Sequence, residues 1–379
     1  MAKIQKGFHS NEDYIDFINY AFGMNGAESS FPSLLPKLYG PKRESDKVTY
    51  FALEGDRIVG TVGAFPLTFH IGGETLSVRG IGSVATHPRH RGEGFMKELM
   101  KKAMDDMVAD GIDFSVLGGR RHRYGHFGFE KCDGMSYFHL TPKTVSYLDP
   151  DRSGLTMVPV NAEDTALLDR LHAEMHSRPY YTERPREDLH DILLSWRSRP
   201  YAFFRQDKLV GWAVHYSSKR QLSEFHALDL AEVQGMLALA TDRLGSLSVA
   251  VPSYDHPLAA EVDILAENVD IVCNECFAVF NWQRVLSALM TFKAERFPLI
   301  DGSMTIAIEG YCGKETLSLT VKNGVPTVKK TDAAPILTLS GKDAAALFFR
   351  NFSGHRQKLP KEGASWLPLP LFIFEPDNV

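Results

Sequence analysis

The stretch Gly82-Ser-Val-Ala-Thr-His-Pro-Arg-His-Arg-Gly-Glu-Gly-Phe95 decides the fold, because it joins a strand-like run to a long amphipathic helix. Its turn carries the pattern Arg-x-x-Gly-x-Gly from Arg89 to Gly94. Apolar residues then recur in pairs at 95/96, 99/100, 103/104 and 107/108, a spacing that predicts a helix. An Asp-Gly pair follows as a stop signal. The stretch therefore predicts a strand, a glycine turn and a helix.

This turn has the composition of a phosphate-binding loop. A glycine turn at a helix start presents unpaired N–H groups and the positive end of the helix dipole, which suits a pyrophosphate. Arg91 adds positive charge, and Gly92 and Gly94 lack a Cβ, so phosphates can approach the backbone. The Lys-Ser/Thr of nucleoside-triphosphate loops and the Gly-x-Gly-x-x-Gly of dinucleotide turns do not occur at this turn. An ordinary strand-to-helix loop remains the alternative interpretation.

Length and charge exclude several classes of protein. A chain of 379 residues predicts two or three domains, and a net charge of −5 argues against a general nucleic-acid binder. We expect neither a signal peptide nor a membrane partner, since no apolar run approaches the about 18 residues of a membrane span. Four cysteines predict reduced thiols and a cytoplasmic location.

The pair Cys273-Asn-Glu-Cys276 suggests a metal or redox site. A tetrahedral site needs two more ligands at matching spacing, and the other two cysteines stand alone. Residues 269–280 have the character of one apolar strand. We therefore predict a buried structural pair and no metal.

The first part of the chain alternates helix and strand signals. Ser10 is the predicted cap of a first helix, and a second short helix is predicted near 34–39. Strands are predicted at 49–54, 57–65, around Phe69 and at 76–85, and a short strand at 113–119 follows the long helix.

The chain contains an internal sequence repeat. Leu53-Glu-Gly-Asp-Arg-Ile-Val-Gly60 is similar to Phe204-Arg-Gln-Asp-Lys-Leu-Val-Gly211, at an offset of 151 residues. In the second copy, the helix predicted at 231–244 begins without a glycine pair. We predict a duplicated fold whose second copy has lost its cofactor site; a chance match of two hairpins is the alternative.

From about residue 282 the pattern changes. A helix to about residue 293 is followed by alternating strands at 304–309, 316–321, 325–328 and 336–340, a helix at 342–352 and a Pro-rich tail. These signals predict a small α+β module.

Several of these motifs carry a family resemblance. The glycine turn resembles motif A of the GCN5-related N-acetyltransferase (GNAT) superfamily, in which it holds the pyrophosphate of acetyl-coenzyme A (acetyl-CoA). The last hundred residues resemble a sterol carrier protein type domain. Together they resemble the Eis (enhanced intracellular survival) family of N-acetyltransferases over essentially the whole chain. The resemblance implies an α/β (α+β) fold with two tandem GNAT-like mixed-sheet domains, at 1–145 and 146–281, and a sterol-carrier-like domain at 282–379. It also implies a homo-oligomer, commonly a hexamer.

A second motif, Arg-Tyr-Gly-His-Phe-Gly-Phe at 123–129, matches a signature that follows the fifth strand in these enzymes. The matching tyrosine in the family is the general acid, which implies that role for Tyr124. A phenol within reach of the sulfur can protonate the CoA thiolate as it leaves. A packed aromatic in a Phe-rich turn is the alternative.

The family's base is the C-terminal carboxylate, which would be that of Val379. The tail from Trp366 is apolar enough to be buried, although family members often end in an aromatic residue. Glu375, Asp377 or a histidine near the motifs, such as His126, are alternatives.

The remaining predicted site residues belong to acetyl-CoA. Val84, Ala85 and Thr86 should offer strand N–H and C=O groups to the pantetheine arm, and Gly119 and Arg120 should flank the same cleft. The Pro/Ser-rich loop from Gly23 to Pro36, which contains Glu28, is a predicted acceptor wall. The full predicted cofactor set is Val84, Ala85, Thr86, Arg91, Gly92, Glu93, Gly94, Phe95, Met96, Gly119 and Arg120.

The resemblance implies an acetyl-CoA-dependent N-acetyltransferase acting on a primary amine by direct attack in a ternary complex. An aminoglycoside-like polyamine, a small amine and a lysine side chain remain open as acceptors. The alternative is a non-catalytic protein that binds CoA and holds an apolar ligand in its C-terminal domain.

Overall fold

A computed structural model describes residues 2–24, 30–132 and 134–379. These residues fold into three β-sheets with helices packed on them, so the protein has the mixed α/β fold class that the sequence predicted. The largest hydrophobic core lies where the first sheet, the C-terminal sheet and the tail meet. Residues 25–29 of the predicted acceptor wall, with Glu28, lie outside the described residues, and a short helix occupies Phe31–Leu34 of the same segment.

The elements up to residue 132 build most of the first sheet. They are β1 (Lys3–Lys6), α1 (Asn11–Gly23), α2 (Phe31–Leu34), α3 (Pro36–Tyr39), β2 (Thr49–Glu54), β3 (Arg57–Ile71), β4 (Glu74–Thr86), α4 (Phe95–Ala109), β5 (Phe114–Gly118), α5 (Arg121–Tyr124) and β6 (Glu130–Cys132).

The elements of the next part build most of the second sheet. They are β7 (Met135–Leu140), α6 (Pro142–Leu148), β8 (Leu155–Pro159), α7 (Thr165–His176), β9 (Tyr180–Thr182), α8 (Leu189–Leu194), β10 (Ser198–Arg205), β11 (Lys208–Tyr216), β12 (Gln221–Ala227), α9 (Val233–Leu244), β13 (Leu247–Pro252), α10 (His256–Leu265), β14 (Asn268–Val272) and β15 (Glu275–Val279).

The C-terminal part has a four-stranded sheet in the order β18-β17-β16-β19. Its elements are α11 (Trp282–Ala294), β16 (Gly302–Gly310), β17 (Gly313–Lys322), β18 (Val325–Lys330), β19 (Leu337–Ser340), α12 (Gly341–Phe349) and α13 (Lys361–Ser365).

The two larger sheets exchange one strand each. The first runs β1-β2-β3-β4-β5-β15-β6, with β9 on β3, and the second runs β8-β10-β11-β12-β13-β7-β14. If β15 and β7 changed places, the strands of the two sheets would follow the same order along the chain. Each sheet also contains one parallel pair at the equivalent place, β4–β5 in the first and β12–β13 in the second. The sheets therefore do not follow the predicted boundary at 145/146, because β7 lies in the second sheet and β15 in the first.

Two strand predictions were wrong in detail. The strands predicted at 57–65 and around Phe69 form one strand, β3, which continues through Pro66. Pairing of β3 with β2 ends at Gly63, and its pairing with β9 begins at Phe69. Pro66 lies between these two paired stretches, so its missing N–H removes no hydrogen bond to either strand. The apolar run at 269–280 is two strands, because the chain crosses between the sheets at Cys273. Cys276 is buried as predicted, Cys273 is partly exposed, and all four cysteines are free thiols.

The tail after α13 is an ordered, buried segment. Phe372 stacks on Tyr180 with ring centroids 4.1 Å apart, and the Tyr180 hydroxyl donates to the Phe372 carbonyl at 2.8 Å. The tail thus connects the C-terminal sheet to the two larger sheets. No helix in the described part of the chain has both the length and the apolar character that crossing a membrane requires.

Candidate functional site

The glycine turn has the conformation that its sequence predicts. Gly92 and Gly94 each have a φ of +90°, which is costly for residues with a side chain. Nothing lies within 4 Å of the position of a Cβ at either glycine, so conformation rather than crowding requires them. Gly94 caps α4, whose first N–H groups have no acceptor within the helix. The turn can therefore receive an anion.

The strand before the turn is open along one edge. Parallel pairing of β4 with β5 covers only Val78–Gly80 and Phe114–Val116, although β4 continues to Thr86. A bulge at Ser83, with φ of 45°, shifts the register against β3. The Ser83 hydroxyl shares a 2.6 Å hydrogen bond with the Tyr14 hydroxyl on α1. The backbone beyond Gly80 can therefore bind an extended ligand between the separating strands.

A cleft of about 620 Å³ follows this open edge to the start of α4. Its lining comes from α1, the end of β4, the glycine turn, the first turn of α4 and α5: Ala21, Phe22, Val84, Ala85, Thr86, His90, Arg91, Gly92, Gly94, Phe95, Met96, Lys97 and Arg123. Eight residues of the predicted cofactor set lie together here. Lys97 and Arg123 add two cations that were not in the predicted cofactor set, although a lysine in the first turn of α4 is a signal for phosphate binding.

Three predicted residues lie outside this lining. Glu93 is turned toward His90, with 3.3 Å between its carboxylate and Nδ1. Arg120 is the N-terminal cap residue of α5. Gly119 lies under the ring of Tyr124, where an ideal Cβ would be 2.5 Å from Cε2.

That contact explains how Tyr124 is held. Because Gly119 has no side chain, the Tyr124 ring packs against the end of β5 and is only 7% exposed. Burial raises the pKa of the Tyr124 hydroxyl above its ordinary value, so it keeps its proton at neutral pH. Tyr124 does not line the cleft as defined above, but its chain neighbour Arg123 does.

Three arginines follow β5, at positions 120, 121 and 123, and two of them have different roles. Arg121 binds the buried Glu130 carboxylate through Nε at 2.5 Å, and Arg350 reaches the same carboxylate at 3.3 Å. Arg121 is therefore engaged within the fold, whereas Arg123 lines the cleft.

The C-terminus lies on the opposite side of β4 from α4. An ideal Cβ on Gly82 would be 3.2 Å from the Val379 carboxyl carbon, and one on Gly80 would be 2.5 Å from Val379 Cγ2. Lys37 Nζ donates to the carbonyls of Pro376 at 2.6 Å and Asn378 at 2.5 Å. Burial lowers the pKa of Lys37 to about 7. Val379 is thus held over the two glycines of β4, which have no side chains to displace it.

A buried ionic cluster anchors the same segment. Arg184 binds Asp377 through Nε at 2.8 Å and Glu224 through Nη2 at 2.7 Å, and all three side chains are at most 4% exposed. Burial by itself lowers the pKa of Arg184, but the two carboxylates outweigh it and raise the pKa. Because the Asp377 carboxylate is ion-paired with Arg184, it is a poor alternative base. Glu375 is 3.4 Å from Lys219 and partly exposed.

Glu275 was not among the residues predicted from the sequence. It lies on the exchanged strand β15 opposite Gly118 of β5, and it is 9% exposed. No sequence signal marks it, because its place depends on β15 entering the first sheet.

Comparisons with known proteins support an acetyltransferase domain. Residues 9–132 match the model of an acetyltransferase (GNAT) domain. An uncharacterized N-acetyltransferase from Streptomyces avermitilis is 31% identical over 116 residues, which are 30% of this chain and 26% of that protein. The match thus spans about a quarter of the curated relative.

Solved structures match nearly the whole chain. A GCN5-related N-acetyltransferase from Kribbella flavida matches with a TM-score of 0.70 and 16% identity, covering 99% of this chain and 98% of the other. Eis1 from Mycobacterium abscessus matches with a TM-score of 0.67 and 13% identity over 100% of both chains. These likenesses concern the fold. The indication of an acyltransferase comes from the match of residues 9–132 to the GNAT domain.

Proposed function

We propose that this protein is an Eis-like N-acetyltransferase that transfers acetyl from acetyl-CoA to a primary amine in a ternary complex. The observation that carries the proposal is the 620 Å³ cleft, which joins the anion-ready turn of α4 to the open edge of β4. A phosphate-bearing ligand with a long, amide-rich arm fits such a site, since the turn can take the charge and the strand edge can pair with the amides.

The residues present fit acetyl-CoA. Arg91, Gly92, Gly94 and the backbone of Phe95 and Met96 would hold the pyrophosphate, and Val84 to Thr86 would bind the arm. When bound, acetyl-CoA supplies an activated acetyl thioester.

Tyr124 is the proposed general acid. Its hydroxyl is protonated at neutral pH and held by packing against Gly119, so it can give its proton to the departing sulfur.

The Val379 carboxylate is the proposed base. Its position over Gly80 and Gly82, on the face of β4 opposite α4, supports this role, because cofactor and acceptor would then approach the open edge from different sides.

The proposal extends to the whole chain. The matching order of the two larger sheets supports a duplicated GNAT fold. Tail residues pack on the second copy, where the ring of Phe374 lies 5.4 Å from that of His226 on β12. This contact supports a second copy that has no cofactor site. The C-terminal part is a proposed sterol-carrier-like domain, and a cytoplasmic homo-oligomer, with a hexamer as the family precedent, completes the proposal.

The test is an assay of CoA release with a panel of amines: an aminoglycoside, small primary amines and a lysine peptide. We expect at least one acceptor to be acetylated. Tyr124→Phe should lower kcat about 10²–10⁴-fold while the Kd for acetyl-CoA is unchanged, because the ring stays and only the proton donor is lost.

Binding of acetyl-CoA without acetylation of any amine would contradict the enzyme proposal and favour a CoA-binding role. Full kcat in a folded Tyr124→Phe variant would remove Tyr124 from the mechanism. Tyr147→Phe is the matched control, because Tyr147 is 74% exposed.

A further inference from the structure

Glu275 reaches the first sheet only through the strand exchange. β15 lies between β5 and β6, so Glu275 pairs with Gly118 on one side and Cys132 on the other. Its side chain is almost fully buried, and its Oε2 has no hydrogen-bond partner among the described residues. A buried, unpartnered carboxylate oxygen is costly unless a ligand or water completes it.

Glu275 and the C-terminus share one face of the sheet. Side chains two residues apart on a strand share a face. Val78 on β4 and Val116 on β5 pack into the same core, so Gly80, Gly82 and Gly118 follow them on that face.

These glycines have no side chains to cover that face at the point where the two strands separate. An ideal Cβ on Gly82 would lie 3.2 Å from the Val379 carboxyl carbon, and one on Gly118 would lie 3.2 Å from Glu275 Oε2. The two carboxylates therefore lie on the face opposite α4 where β4 and β5 separate, outside the lining of the cleft.

The surroundings of Glu275 are polar and tight. A cavity of about 10 Å³, room for about one water molecule, is lined by Glu275, Glu375, Asn378, Gln221 and Ser223, among others.

Burial first, and then the charge of Glu375, raise the pKa of Glu275 to about 7. A hydrogen bond from Asn378 and the charges of Lys131 and Lys219 oppose that rise. A carboxylate with this pKa is a much better proton acceptor near neutral pH than an ordinary one.

The chemistry of amine acetylation requires two proton acceptors. An ammonium loses one proton before its nitrogen can attack and a second as the amide forms. The first proton is held tightly, since alkyl ammonium groups have a pKa of about 10. The second is far more acidic, so a weak base suffices for it.

We infer that the Glu275 carboxylate accepts the first of these protons, which makes the acceptor ammonium a nucleophile, while the Val379 carboxylate accepts the second. This inference rests on the proposed acetyltransferase function. In the balanced reaction the N–C bond forms, the C–S bond breaks and the sulfur takes the Tyr124 proton. One of the two nitrogen protons restores Tyr124, and the other leaves to solvent.

The test compares pH profiles of kcat/KM for the best acceptor. The wild-type profile should rise with an apparent pKa near 7 and then level off. In Glu275→Gln, of equal shape but unable to accept a proton, the rise should continue toward the pKa of the acceptor itself. The rate at pH 7 should fall about 10²-fold or more, with the Kd for acetyl-CoA unchanged.

Two further variants separate proton transfer from a structural role. Glu375→Gln should move the wild-type rise to lower pH, because it removes a charge that raises the pKa of Glu275. Glu275→Asp should keep a levelling profile at reduced rate, since a carboxylate is retained.

Infrared difference spectra supply a readout without turnover. A buried protonated carboxyl band should titrate near neutral pH in the wild type and be absent in Glu275→Gln. A Glu275→Gln profile that still levels off near pH 7, or a missing carboxyl titration, overturns the inference while the acetyltransferase stands. An inactive wild type defeats the proposed function, and with it this inference.

Discussion

The position of Val379 over β4 can be tested by adding one methyl group. In Gly80→Ala, the new Cβ would lie 2.5 Å from Val379 Cγ2 and 3.1 Å from Cγ1. Carbon atoms settle at about 3.5–4.0 Å, so the terminal residue must retreat by about 1 Å. A displacement of that size in a catalytic group typically costs about 10²-fold in rate. We expect kcat to fall by about that factor, with the Kd for acetyl-CoA unchanged.

A second substitution identifies the cause. Val379→Ala removes both Cγ atoms and keeps the carboxylate, so Gly80→Ala/Val379→Ala should regain most of the lost kcat. Gly354→Ala is the matched control, because nothing lies within 4 Å of its Cβ position.

The assay is CoA release at saturating acetyl-CoA with the best acceptor, alongside thermal unfolding. Overpacking costs about 1–3 kcal/mol, which lowers Tm without unfolding the protein at assay temperature. Full kcat in Gly80→Ala, or a double variant as slow as the single one, would refute the proposed role of the terminus.

Three further predictions test the cofactor turn, the tail anchor and the buried carboxyl. Gly94→Asp should weaken acetyl-CoA binding at least about tenfold relative to Gly94→Asn, which has the same shape without the charge; equal Kd values would move the pyrophosphate elsewhere. Arg184→Met leaves the Glu224 and Asp377 carboxylates buried without a partner, so denaturant unfolding should show a loss of about 3–5 kcal/mol, and a loss below about 1 kcal/mol would contradict that ion pairing. Because the folded pKa of Glu275 lies above its unfolded value, its contribution to stability is fully present below about pH 4.5 and is lost as pH rises through about 7. Relative to Glu275→Gln, the wild type should therefore lose about 3 kcal/mol between those pH values, and parallel stability curves would contradict the burial of an ionisable carboxyl.

Local sequence patterns were sufficient to predict much of the proposed cofactor site. The predicted cap Ser10 accepts a hydrogen bond from the Asp13 N–H, and α4 spans the predicted apolar repeat to Ala109. The turn at Gly92 and Gly94 was also predictable, because a positive φ needs glycine and a helix start follows within three residues. These features depend on residues close together in the chain.

The residues proposed to act on the acceptor amine were less predictable from the sequence. The family resemblance pointed to Val379, but nothing in the sequence indicated Glu275, since an isolated Glu in an apolar run has no distinguishing spacing. The predicted single strand at 269–280 even placed it in the wrong element. Gly119 was predicted to flank the cofactor, yet it supports Tyr124, because only the packed structure shows which ring covers it.

The amino-acid order alone is enough to specify helices such as α1 and α4, the turn between β2 and β3, and the glycine turn before α4. Propensity, capping and hydrophobic periodicity act over a few residues. Three features arise only when the sheets assemble: the strand exchange, the Arg184–Asp377 anchor across 193 residues, and the placement of Val379 over Gly80 and Gly82 and of Glu275 over Gly118. Such contacts depend on burial and ion pairing between distant segments, and no local pattern encodes which distant partner will complete them.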